Sequence, residues 1–242
     1  MVPALLSIAV IPFGDTISIM GVSIDMVITD VNIGILFILA VSSVGVYGIL
    51  LGGWSSNNKY SLLGGLRSSA QMISYELSMG LSLIGVIMMT GSLSLVDTVN
   101  AQTDLWFVVL QPVAFLVYAI SAIAETNRCP FDLPEAETEL VSGFHTEYSS
   151  MKFALFFMAE YANIITVSAV GVTFFLGGWR GPFLPPVVWF LIKMAMCIFF
   201  FVWLRSTFPR FRIDQLMKFA WKVLLPVAVV NVLITGIVMS LL

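Results

Sequence analysis

Six long apolar runs divide the chain, at about 31–53, 69–93, 104–124, 151–176, 184–204 and 219–242, and a shorter run covers 2–13. A helix rises about 1.5 Å per residue, so about 20 apolar residues cross a hydrocarbon layer about 30 Å thick. A barrel strand would need only about 10 residues and would alternate polar with apolar. The long runs do not alternate, so they read as spanning helices. As helix, the 2–13 run would rise only about 18 Å and would fall short of a crossing. Pro3 and Pro12 bracket it like the end of an ordinary span, so it reads as the latter part of one. The expectation is an all-α, polytopic membrane helix bundle. It forms a single transmembrane domain over 1–242, with six full transmembrane helices plus a partial N-terminal one.

Composition agrees with the pattern. Charged residues make up 10% of the chain against about 25% in soluble domains, and no stretch between the runs is long enough for a soluble domain. The connections alternate between two sides: 14–30, 94–103 and 177–183 on one, and 54–68, 125–150 and 205–218 on the other. Of the 11 Lys and Arg, the second side and its flanking helix ends hold nine: Lys59, Arg67, Arg128, Lys152, Arg205, Arg210, Arg212, Lys218 and Lys222. The positive-inside rule makes that side cytoplasmic, or matrix-facing in an organelle. Cys129 and Cys197 are far apart and suggest neither a disulfide framework nor a metal site. With no basic tail, nothing points to nucleic acid. No internal repeat and no Gly/Pro-broken pair of helices is visible, which argues against a stand-alone transporter.

The candidate chemistry is acidic. Glu125, Asp132, Glu135, Glu137, Glu139, Glu147 and Glu160 crowd into one connection and its flanks, half of the 14 acids in the chain. Glu76 and Glu160 sit inside spans, and Glu125 ends one. Intramembrane carboxylates are costly and face polar cavities, so a proton relay is the functional reading and a packing hydrogen bond the structural one. Lys193, at the middle of its span, is a plausible partner. Asp132-Leu133-Pro134-Glu135 resembles a helix start, with the helix stopping at Gly143. Glu135 and Glu139 then share a face, as coupled proton acceptors or as solvated surface acids. His145, the one histidine, reads as a solvated loop residue, with a proton role as the alternative. Arg205, Arg210 and Arg212 with Asp214 either pair with the acidic loop or hold the headgroup boundary.

The runs ETNRCPFDLPEAETELVSGFHTEY and FFMAEYANII resemble the quinone-site membrane subunit of NADH–quinone oxidoreductase (respiratory complex I), the family of the bacterial H-type subunit and mitochondrial chain 1. SNNKYSLLGGLRSSAQMISYE and RSTFPRFRIDQLMKFAWKVLLP are similar to the same family, in the same order. The resemblance implies a proton-pumping complex in which this chain holds no flavin or iron–sulfur cluster. FMN and the clusters would lie in partner subunits, with quinone as substrate. The implied partners are the hydrophilic quinone-site subunits, neighbouring membrane-arm subunits and lipid, in the bacterial inner membrane. It implies a coupling role for Glu76, Glu125, Asp132, Glu135, Glu137, Glu139, Glu147 and Glu160, and a quinone-chamber or interface role for Arg128, Phe144, Arg205, Arg210 and Arg212. The family's first span, amphipathic helix and basic loop are absent before Met1. The related membrane subunit of an energy-converting hydrogenase is the alternative, and the completeness of the motifs favours complex I.

Overall fold

The computed structural model describes residues 1–19, 22–103, 105–132 and 143–241. Its helices in chain order are α1 (Val2–Ile8), α2 (Gly34–Ser55), α3 (Lys59–Thr90), α4 (Leu95–Asn100), α5 (Phe107–Leu110), α6 (Pro112–Glu125), α7 (Ser150–Phe175), α8 (Pro186–Thr207) and α9 (Ile213–Leu241). Five of these, α2, α3, α7, α8 and α9, are long and apolar enough to cross a membrane, and α6 is a shorter apolar helix. Among the described residues the regular structure is helical apart from a small antiparallel hairpin, β1 (Ile17–Ile19) with β2 (Val22–Ile24), in the 14–30 connection.

Helix α3 is the axis of the fold, packing on α2, α6 and α9. It starts ten residues before the expected 69–93 span. The Asn58 side chain accepts from the Tyr60 amide and caps the helix where a polar loop was expected. At 32 residues it is about 48 Å long, so its first turns stand clear of a hydrocarbon layer. Its buried face is mostly small: Ser61, Gly64, Gly65, Ser68, Ser69, Ser74, Ser78, Ser82 and Gly85. Small residues let helices approach closely where no hydrophobic force drives them together. A Cβ on Gly53 of α2 would meet the Ser61 carbonyl oxygen at 2.6 Å.

Two expected spans are irregular. The 104–124 run breaks at Gln111 into α5 and α6, because Pro112 has no amide to continue the ladder. Gln111 stitches the break: its Nε2 donates to the Thr235 hydroxyl at 2.9 Å and its Oε1 accepts from Asn231 at 3.1 Å. Helix α9 begins at Ile213, before the expected 219, and passes through a π-helical turn, Ala220–Leu224, just ahead of Pro226. The apolar pattern shows no proline-broken helix. The two prolines are its overlooked signals.

Two apolar clusters form the core. The larger, containing Ile11, Ile35, Leu83, Val99, Phe174, Phe175 and Phe190, lies toward the end remote from the acidic connection. The smaller, with Tyr75, Val117, Phe131, Leu216 and Leu224, lies beneath that connection. The buried residues of α8 are Phe190 and Lys193 alone. The rest of that helix presents Met196, Phe199 and Trp203 outward, as a lipid- or protein-facing surface in a membrane would.

Candidate functional site

Between α1, α2, α3, α6 and α7 lies a cavity of about 150 Å³. Most of its wall is apolar, from Ile35, Ile38, Met72, Met79, Leu83 and Val170. Its polar lining includes Ser42, Glu125, Thr126, Asn127, Glu160, Asn163 and Thr166. Helix ends and faces deliver these groups. Glu125 is the last residue of α6, and Asn127 just beyond it takes a positive φ of 51° as the chain leaves the helix. Gln71 fixes that exit, donating at 2.8 Å to the carbonyls of both Ala124 and Phe131.

The two cavity glutamates are held differently. Glu160 of α7 lies 2.8 Å from the Arg128 guanidinium, with both side chains nearly buried. The Arg128 guanidinium also sits 4.7 Å from the Tyr161 ring and 5.6 Å from the Phe157 ring. Residues 157, 160 and 161 share one helix face, so α7 presents Arg128 with a carboxylate flanked by two aromatic faces. Glu125 is 4% exposed, and its Oε2 accepts no hydrogen bond among the described residues. Glu76 of α3 is within electrostatic reach of Glu125 and accepts from the hydroxyls of Ser42, at 3.2 Å, and Ser43. The structure thus brings Glu76, Glu125, Arg128 and Glu160 around one cavity.

Other expected site residues lie around its rim. Phe144 lines the cavity from a 3₁₀ turn, Gly143–His145, and meets Phe156 edge-on at 5.4 Å. That turn rests on Gly64, where a Cβ would meet its backbone at 2.8–2.9 Å. Asp132 is nearly buried and 3.3 Å from Arg210. Beside this pair, the Phe211 amide donates to the Pro130 carbonyl at 3.2 Å, so the 208–212 segment straps down the 128–132 turn. Arg205, Arg212 and Asp214 are exposed near this strap. Glu147 is exposed, away from the cavity, and accepts at 2.8 Å from Asn58, the α3 cap. Glu135, Glu137 and Glu139, with the helix expected to carry them, lie outside the described residues. Lys193 is not at this site; it lies at the far end of α7.

His145 corrects an expectation. It is buried, not solvated, with its ring edge-on to Phe144, Phe153 and Phe157 at 4.9–6.0 Å. Burial lowers its pKa below the usual value, and the negative charge of Asp132 opposes this. The sequence reading missed Ser42 and Ser43, although a serine pair inside an apolar run was a visible signal. It also missed Gln71, which only the fold places against the end of α6.

Residues 1–236 match the NADH dehydrogenase family. The chain belongs to that family. It is 59% identical over 235 residues to the second H-type subunit of NADH-quinone oxidoreductase from Geobacter sulfurreducens, covering 97% of this chain and 71% of that protein. It is 55% identical to the H-type subunit of NADH-quinone oxidoreductase from Protochlamydia amoebophila, covering 96% of this chain and 72% of the relative. The corresponding protein of Thermomicrobium roseum is 54% identical, over 96% and 71% respectively. These relatives agree with the expected family and do not favour the hydrogenase alternative. In this member of the NADH dehydrogenase family, the cavity offers carboxyl, amide and hydroxyl groups inside an apolar bundle. Among the described residues no His, Cys, Asp or Glu side chains come together as a metal-holding group. What the cavity groups can do is bind, hold and pass protons.

Proposed function

We propose that this chain is the H-type membrane component of a proton-translocating NADH–quinone oxidoreductase, and that Glu76, Glu125 and Glu160 pass protons in step with quinone reduction. The observation that carries the reading is the unequal treatment of the cavity glutamates. Glu160 has a guanidinium at 2.8 Å, whereas Glu125 is buried and its Oε2 accepts no hydrogen bond among the described residues. In this reading a proton passes between the two sites when Arg128 changes partner. Arg128 is joined to Asp132 by a short turn, and Asp132 to the 208–212 strap, so a change in charge at that surface reaches the cavity through a few contacts.

The quinone chamber lies at the acidic-loop end in this reading, with Arg128, Phe144, Arg205, Arg210, Arg212 and Asp214 facing it or the hydrophilic subunits that complete it. Quinone is the substrate, and the flavin and iron–sulfur centres belong to partner subunits. Asp132 and Glu147 add negative charge at that end, and Glu135, Glu137 and Glu139 belong to the same acidic connection in the sequence. The nine basic residues on that side orient it toward the cytoplasm of a bacterial inner membrane.

Glu125→Gln and Glu160→Gln in the whole complex test the reading. Each should lower quinone-linked NADH oxidation and proton pumping about tenfold or more, the lower range for removing a proton-transfer group being about 10²-fold when chemistry is limiting. NADH oxidation by a soluble artificial acceptor should be unchanged, which shows that the complex has assembled. Normal pumping in both variants would remove the relay.

A further inference from the structure

The proton relay makes no use of Lys193, although it lies within α8 and is only 5% exposed. An ammonium group has three N–H donors and no acceptor. Here all three are met: Nζ donates to the carbonyls of Leu176 at 2.6 Å, Gly178 at 3.1 Å and Arg180 at 2.6 Å. The Trp106 ring lies 4.4 Å from Nζ and covers it from another side. The carbonyls face one point because the chain doubles back after α7. Gly177 and Gly178 have φ of 72° and 52°, and the Gly178 amide donates to the Val172 carbonyl at 2.9 Å. The turn cannot relax outward. A Cβ on Gly178 would meet Val99 at 2.6 Å, and one on Gly177 would meet Trp106 at 2.9 Å.

We infer that the 176–180 turn and Trp106 form a binding site for a primary ammonium group, occupied by the chain's own Lys193, which locks the end of α7 to α8. Among the described residues the site holds no carboxylate, and backbone carbonyls and an aromatic face carry the recognition. A positive charge at this end also complements the exposed carbonyl end of the α7 dipole. Lys193 is then a fixed structural cation. From Glu160 to Leu176, α7 rises about 24 Å, so the lysine is remote from the relay acids, and its hydrogen-bonding partners are carbonyls that do not exchange protons.

Removing the ammonium and returning it separately tests this. Lys193→Ala leaves space for n-propylammonium, which restores the missing atoms. In the purified complex, this variant should lose several degrees of thermal midpoint, and deuterium uptake at 176–182 should speed up tenfold or more. Protons pumped per electron should stay unchanged. Added n-propylammonium should recover most of the midpoint and the protection, while 1-propanol and trimethylammonium, which lack three donors, should not. If the alanine variant does not assemble, Lys193→Gln keeps two donors and should show a partial loss of midpoint and protection. A fall in protons per electron with midpoint and exchange unchanged would make Lys193 a proton carrier and overturn the inference. Equal rescue by 1-propanol would reduce the site to filled volume and also overturn it.

Discussion

Helix α7 carries a buried ionisable arrangement at each end, and the two are built on opposite principles. At its Phe175 end the Lys193 ammonium has as many acceptors as donors, and Gln102 is likewise bonded, although Arg180 Nε meets no partner among the described residues. The Gln102 amide donates to the Thr173 carbonyl at 2.9 Å, and its oxygen accepts from the Gly177 amide at 3.0 Å. Toward the acidic connection, Arg128 and Glu160 pair at 2.8 Å, yet Arg128 Nε, Glu125 Oε2 and Asn127 Oδ1 meet no hydrogen-bond partner among the described residues. A buried polar set that is fully satisfied has one low-energy arrangement and fixes structure. A set with spare donors and acceptors beside a cavity has several of similar energy, and protons or water can move among them. One helix thus joins a fixed end to a variable one.

Arg128→Met should have the largest effect. It removes the guanidinium from Glu160, and breaking a buried pair costs about 3–5 kcal/mol. A lower midpoint and a marked drop in coupled turnover should appear together, and Arg128→Met with Glu160→Gln should recover midpoint without turnover. Recovery of both by the double variant would show that the pair serves packing only. Gln102→Leu, at the fixed end, comes next. It leaves buried groups around Thr173 and Gly177 without partners, at about 1–3 kcal/mol each. The expected result is a lower thermal midpoint with an unchanged ratio of protons to electrons. A changed ratio would mean that the Phe175 end is not merely structural.

Much of the bundle was legible because apolar runs of membrane-spanning length have few alternatives in a chain this poor in charge. The early start of α3 was hidden because Gly64 and Gly65, which read as loop residues, are there to let α2 and the 143–144 backbone come close. The break at Gln111 and the π-helical turn were signalled by Pro112 and Pro226, but apolar periodicity does not weigh a single proline. At the site, the sequence singled out Glu76, Glu125 and Glu160 by depth alone. It could not rank them, because the guanidinium at Glu160 arrives from the turn after α6 and the serines at Glu76 from α2. Lys193 misled for the same reason: position in a span gives depth, whereas its partners come from a turn that doubles back through two left-handed glycines.

His145 gives the smallest and most specific test, since it lies beside the variable end without lining the cavity. Burial among Phe144, Phe153 and Phe157 lowers its pKa in the folded chain below about 6.5, the value of an unfolded histidine. The unfolded chain therefore binds more protons below that value, so this residue's contribution to stability is complete above about pH 6.5 and is lost as pH falls below it. His145→Phe keeps a ring in place and removes the titration. Between pH 7.5 and 5.5 the thermal midpoint of the parent complex should fall more than that of the variant, with the two differing in stability at pH 7.5 by less than about 1.5 kcal/mol, the range for a swap that nearly conserves volume. Parallel curves at all pH values would show that folding leaves the His145 pKa unshifted. A variant that pumped poorly at pH 7.5 would instead enrol His145 in the relay, and so extend the variable end of α7 beyond the cavity to the turn that carries Phe144.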